Sequence, residues 1–322
     1  MARGEPRPTE TGSTPVDHRY DASLSVNLQD LRDLFLTYQS VIGFAGINGL
    51  LALSVYATLS CGQLSLANAG FMAVGAYASA LLTVHTSLPF AVVLLAGTVA
   101  PALLAVPLGL PVLRLRGVFL AIATIGFGEV VRLGFVNWEY TNGALGLVGI
   151  PQRAGLGSIL AALAVTLFLF LRLRGTRSGC ALEAIREDEA AARTMGIDST
   201  AHKLAMLTLG AAVAGLAGAL EAHFTFMVSP GGYTFGRAVD MLVFAVVGGT
   251  AHPLGPLVGA AFLTALPEIL RAAGTSIGIP PGPLRLFLNG AILLAVILFL
   301  PEGIASLWRR YGRRRVREGH AA

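Results

Sequence analysis

From Leu34 to Leu113 the chain runs 80 residues without an Asp, Glu, Lys or Arg. A helix that crosses the hydrocarbon of a bilayer needs about 20 predominantly apolar residues, so this stretch alone has room for three. Further apolar runs lie at Gly117 to Val136, Ala154 to Leu171, Leu204 to Val228, Ala238 to Gly249, Leu254 to Leu270 and Leu284 to Leu307, nine candidates in all. Their composition, uniformly Ala, Leu, Val and Gly, excludes a transmembrane barrel, whose strands alternate lipid-facing and lumen-facing residues. Charged residues make up 13% of the chain, against about a quarter in soluble domains, so most of its surface must meet lipid. The expected fold is an all-α polytopic membrane protein with eight to ten transmembrane helices. No secretory signal is expected, since the first 33 residues carry six acids and the first apolar run is far longer than a signal core.

Charge sets the expected organisation. Six arginines crowd Arg309 to Arg317, and six basic residues lie between Arg172 and Lys203. The positive-inside rule puts both regions in the cytoplasm with four crossings between them. Arg114 and Arg116 mark another inner turn, which sends Trp138 to Arg153 outside, and the N-terminal tail outside too if all nine segments cross. The net charge of +5 is therefore assigned to topology, and no nucleic-acid partner is expected. Three regions follow: a polar tail over 1–33 with an interfacial turn at Leu28, Leu31, Leu34 and Phe35, a transmembrane domain over 34–308, and a basic cytoplasmic tail over 309–322. The run Ala238 to Gly249 is too short to span unless it begins near Tyr233. Small residues four apart, at Gly255 and Gly259, Ala211 and Gly215, and Ala214 and Gly218, predict close helix packing in lipid.

The one long polar segment inside the body is 173–203. Ser178 is placed to cap a helix, Leu182, Ile185, Ala192 and Met195 recur on one face, and Gly196 closes it in the left-handed conformation. Glu183, Arg186, Glu187, Asp188, Glu189 and Arg193 decorate the remaining surface, and Asp198 or Ser199 caps the next span. Connectors between spans need only two to eight residues or so, and longer ones are usually functional. A rigid helix continuous with two spans can carry force from a cytosolic partner; a solvated charged loop is the alternative reading.

Within the apolar segments, ionisable groups are costly and hence functional candidates. Glu129 and Arg132, three apart, are placed to pair, as are Glu268 and Arg271. Glu221 and His223 lie late in one segment on different faces, at the mouth of a path or as interfacial anchors. Gln63, Ser65 and Asn68 occupy a Gly-flanked break between two apolar runs. A broken helix lining a path and a polar turn outside the bilayer both fit. Gly248 to Pro256 forms a second candidate of the same kind. Cys61 and Cys180 stand outside any motif and read as structural thiols; no metal site or cofactor is expected.

The segment EAIREDEAAARTMGI, from Glu183, resembles the cytoplasmic coupling loop of the M-type permease subunits of branched-chain amino-acid importers, and of related urea and amide importers. Glu189, Ala190 and Ala191 are followed by four residues before Gly196, one more than in the general importer motif. The resemblance extends from about Gly49 to Ile304 through SCGQLSLANAGFMAVGAYASA (60 to 80), with Ala67 where a glycine is common, GVFLAIATIGFGEVVR, TNGALGLVGIP, LAGALEAHFTFMVSP, VVGGTAHPLGPLVGA and LFLPEGI, in that order. It implies an importer permease fold and no enzymatic activity in this chain. It also implies a homologous permease subunit as heterodimer partner, two cytosolic ATPase subunits and an external substrate-binding protein, in a bacterial inner membrane. The cargo it implies is branched-chain or other hydrophobic amino acids, with urea and short amides as the alternative. A P-loop requires a lysine after its glycine run, and the only lysine, Lys203, has no such run before it, so a motor must be a separate chain. Two rivals differ in class. An ion-coupled transporter calls for intramembrane carboxylates and repeated halves. A membrane-embedded enzyme calls for a cluster that His85, His202, His223 and His252 do not form in sequence.

Overall fold

A computed structural model describes residues 28–115, 117–274 and 290, with side chains from Tyr38 to Leu266 within that range. The described residues hold ten α-helices, in order α1 Leu28–Leu59, α2 Asn68–His85, α3 Phe90–Val112, α4 Val118–Val136, α5 Leu156–Arg174, α6 Arg177–Glu187, α7 Glu189–Thr194, α8 Ser199–Thr225, α9 Phe235–Gly248 and α10 Leu254–Gly274. Eight of the nine apolar segments coincide with helices; the ninth, 284–307, lies outside the described residues except for Gly290, and the basic tail lies outside them too. The described residues up to Ser40 form a unit of their own. Leu28, where the polar tail meets the first apolar segment, already belongs to α1.

Backbone groups in hydrocarbon must find partners within their own segment, which is why long apolar runs become helices. Among the described residues five helices are long and apolar enough to cross a bilayer: Tyr38–Leu59 of α1, then α3, α4, α5 and α8. Over their most apolar stretches α1 and α8 are 78% and 61% buried, whereas α3 and α4 are 22% and α5 17%. The first two are therefore core and the last three peripheral. α3, α4 and α5 present Leu95, Leu103, Phe119, Val130, Val165 and Phe168 outward, as lipid-facing helices do.

At the centre is α2, packed on α8, α3 and α4. Phe71 meets Phe127 at 5.1 Å between ring centroids and, two turns on, Tyr77 stacks on Phe135 at 4.1 Å, so α2 and α4 run parallel. The small residues let the helices approach closely. A methyl on Gly75 would strike the Gly215 backbone, one on Gly215 the Pro101 ring and the Gly97 carbonyl, and one on Gly218 the Met72 carbonyl. The spacing of small residues thus serves packing, as expected in lipid, where close van der Waals fit replaces a hydrophobic drive.

Beyond the ends of α4 and α8 lies a short antiparallel pair, β1 Leu147–Val148 with β2 Met227–Val228. Gly146 precedes it at φ 76, with no room for a side chain beside the Val228 carbonyl. α9 begins at Phe235, three residues before the apolar run. Its 14 residues rise about 21 Å, short of the roughly 30 Å hydrocarbon core, so α9 is a half-span that turns at 249–253 into α10.

Candidate coupling site

The polar segment forms two helices, not one. Thr176, rather than Ser178, caps α6, its Oγ1 accepting from the Gly179 amide at 3.3 Å, and Gly179, Leu182 and Ile185 are buried beneath it. The helix then breaks at Asp188, whose backbone is extended at φ −150 and ψ 105. The Asp188 carboxylate accepts from the amides of Ala190 at 2.8 Å and Ala191 at 3.1 Å, and so starts α7. A short acceptor side chain does better at an N-cap than inside a helix, which explains the break. It also resets the helical phase. Ala192 stays buried, but Met195 is 83% exposed, against the expectation that it shares the face of Leu182 and Ile185. Gly196, at φ 84, ends the turn as expected, and Asp198 caps α8 through the Ala201 amide at 3.0 Å.

Glu189 ties α7 to α8. Its carboxylate accepts from Lys203 Nζ at 2.8 Å, Arg193 Nη2 at 2.8 Å and Ser199 Oγ at 3.1 Å. The hydrogen bond from Lys203, foremost, holds the Glu189 carboxyl below the usual carboxylate range. Glu189 is thus an internal fastener, while Glu183, Arg186, Glu187, Asp188, Ala190, Ala191 and Gly196 are exposed.

Arg186 joins this pair of helices to both chain breaks. Its guanidinium donates to the Thr250 carbonyl at 3.2 Å and to Thr250 Oγ1 at 3.1 Å, in the turn between α9 and α10. Its Cα lies 3.6 Å from where a Cβ on Gly62 would stand, in the break between α1 and α2. Gly62 and Leu64 in that break are exposed, but its polar groups are buried and satisfied by this chain's own groups. The Gln63 amide donates to the Thr58 carbonyl at 3.0 Å, the Leu66 amide to Thr124 Oγ1 at 3.0 Å, and Asn68 Nδ2 to Ser54 Oγ at 2.8 Å. Ser65 Oγ accepts from the Ala67 amide at 3.4 Å. Gln63, Ser65 and Asn68 are 4%, 2% and 2% exposed, so these three side chains are enclosed by protein.

The other candidates lie apart. Glu129 pairs with Arg132 at 2.7 Å, as their spacing predicts, and borders a narrow crevice beside Tyr233 and Thr234 at the start of α9. Glu221 pairs with Arg237 of α9 at 3.2 Å. His223, two residues on, is fully buried; its ring nitrogens meet Thr83 Oγ1 at 3.4 Å and the Pro151 carbonyl at 3.2 Å, and Phe90 packs edge-on. Both are committed to partners from other elements. Arg237, just before the apolar run that begins at Ala238, was not among the residues the sequence singled out, though a charge at the edge of such a run is itself a signal. The Glu268 and Arg271 side chains lie outside the described residues.

The described residues make a multi-pass helical membrane protein in which one polar helix between α5 and α8 meets both the α1–α2 break and the α9–α10 turn. Residues 37–297 match the family model described as the permease component of branched-chain amino-acid transport systems. The chain is 34% identical over 295 residues to the high-affinity branched-chain amino acid transport system permease protein LivM of Salmonella typhimurium, covering 80% of this chain and 67% of that one. It is 33% identical to LivM of Escherichia coli over the same shares. It is also 30% identical over 152 residues to a probable branched-chain amino acid transport permease protein LivH of Methanocaldococcus jannaschii, covering 45% and 46%. No solved structure matches it. The chain belongs to the family of permease components of branched-chain amino-acid transport systems, and it is a transport subunit, not an enzyme.

Proposed function

We propose that this chain is one translocating subunit of an ATP-driven importer of branched-chain or other hydrophobic amino acids in a bacterial inner membrane. It pairs there with a homologous permease subunit, two cytosolic ATPases and an external binding protein. The observation that carries the reading is Arg186. An exposed cytoplasmic helix grips the turn of a half-span and abuts a second break, so a push on α6 and α7 is delivered to the elements that can rearrange. α7, fastened to α8 through Glu189, delivers the same push to a core helix. The exposed Met195, Ala190 and Ala191 offer the ATPase a small apolar surface rimmed by Glu187 and Arg193. The names of the relatives favour branched-chain amino acids over urea or amides. The partial likeness to a LivH-type chain supports a homologous permease partner.

The test is uptake of labelled leucine into proteoliposomes holding the whole complex, with binding protein on the receptor side and ATP on the other. Uptake that requires ATP and survives collapse of ion gradients supports the reading. Uptake that proceeds without ATP and stops with an ionophore replaces it with ion coupling.

A further inference from the structure

At the end of α5, between α6 and the α9–α10 turn, lies a small, partly open cavity of about 40 Å³. Its polar lining comes from Tyr56, Ser60, Arg174, Glu183, Arg186 and Thr250. Arg174 stands in α5's last turn, at the foot of a helix whose Val165, Phe168, Leu169 and Leu171 are exposed to the bilayer. One guanidinium nitrogen, Nη2, reaches Glu183 at 3.3 Å. The other terminal nitrogen, Nη1, is buried and has no acceptor among the described residues.

A buried donor on a charged fork with nothing to donate to calls for an explanation. Guanidinium geometry suits two oxygens of one carboxylate or phosphate. Glu183 satisfies only one side and leaves most of its own carboxylate in water, its side chain being 64% exposed. Two arginines against one acid leave the cavity net positive, with the Tyr56 hydroxyl also in its lining. Basic pockets between helices at the membrane boundary are where anionic headgroups bind. We propose that this cavity binds a phosphate group through Arg174. The lipid-exposed flank of α5 makes a membrane phospholipid the source, its phosphate entering between α5 and α6 while its acyl chains follow Phe168 and Leu171. A phosphate held there lies beside Arg186 and Thr250, and so ties lipid occupancy to the stiffness of the proposed coupling contact. The binding claim stands on the cavity and the arginine alone, whatever the cargo.

The test is thermal unfolding of the full chain, purified in detergent with the subunits it carries, titrated with short-chain phosphatidylglycerol or with inorganic phosphate. Saturating phosphatidylglycerol is expected to raise the melting temperature by about 5 °C. Arg174→Gln abolishes the rise, while Arg172→Gln, an exposed arginine on the same turn, retains it. The same Arg174-dependent rise with inorganic phosphate supports the site with a soluble anion as its source. Equal rises in wild type and Arg174→Gln, or none with either probe, overturn the proposal. Should Arg174→Gln not fold, Glu183→Gln serves: freeing Arg174 from its competitor must strengthen the lipid effect, and an unchanged or weaker one is a refutation.

Discussion

Glu189→Ala removes one carboxylate that three donors share, and its cost follows from what is left behind. Lys203 is 14% exposed on its side chain, and its ammonium loses its 2.8 Å acceptor. Breaking a fully buried pair costs about 3–5 kcal/mol, and hydrogen bonds to charged groups are worth about 1.5–3. With Lys203 partly open to water, about 2–3 kcal/mol is expected from this loss. Arg193 is 50% exposed and its pair adds only a few tenths. The total, about 3 kcal/mol, lowers the melting temperature of the detergent-purified protein by about 5 °C or more. Most of this is the penalty of a stranded cation, so Glu189→Ala with Lys203→Met is expected to recover about 2 kcal/mol relative to the sum of the two single changes. A double variant that simply adds the two losses would refute the reasoning, since Lys203 would then not depend on Glu189.

Because the Glu189 carboxyl titrates below its ordinary value of 4.5, its stabilisation is fully present above that pH and is lost as pH falls through the folded-state value. The melting-temperature gap between wild type and Glu189→Gln is therefore expected to hold from neutral pH to about 5 and to narrow below it. Gly215→Ala forces a methyl into the Pro101 ring and the Gly97 carbonyl, and is expected to cost about 1–3 kcal/mol through separation of α3 and α8; an unchanged melting temperature would contradict the packing. Asn68→Leu leaves Ser54 without the donor from the break and puts a branched chain where an amide fitted, so melting and transport should fall together. Transport at the wild-type rate with unaltered melting would show the break to be slack.

What could be read from the chain alone was what depends on neighbours in sequence. Uniform apolar runs marked the helices, Gly196 and Asp198 announced their own backbone roles, and Glu129 found Arg132 because three residues on a helix bring side chains together. The break at Asp188 was legible in principle, since Asp-Glu-Ala-Ala reads as an N-cap and first turn. Periodicity through Met195 hid it, and only buried packing under Leu182 and Ile185 decides between one helix and two. Contacts between distant segments left no such trace. Arg186 meets Thr250 across 64 positions, and Glu221 meets Arg237 across 16, around the β1–β2 pair. Nothing in the local pattern of either segment specifies its partner. The path candidates show the same limit: Gln63, Ser65 and Asn68 were recognised as a break, but whether their polar atoms face a channel or one another depends on α1 and α4.

The central claim is that force reaches the broken spans through Arg186. Its most direct test is the ratio of solute imported to ATP hydrolysed by the reconstituted complex carrying Arg186→Ala. The account predicts that ATPase subunits stay bound and hydrolysis continues, while uptake falls at least about tenfold, the loss expected when a pair of hydrogen bonds from a charged group, worth about 1.5–3 kcal/mol, no longer links the two elements. An unchanged ratio, with uptake and hydrolysis as in wild type, would contradict it.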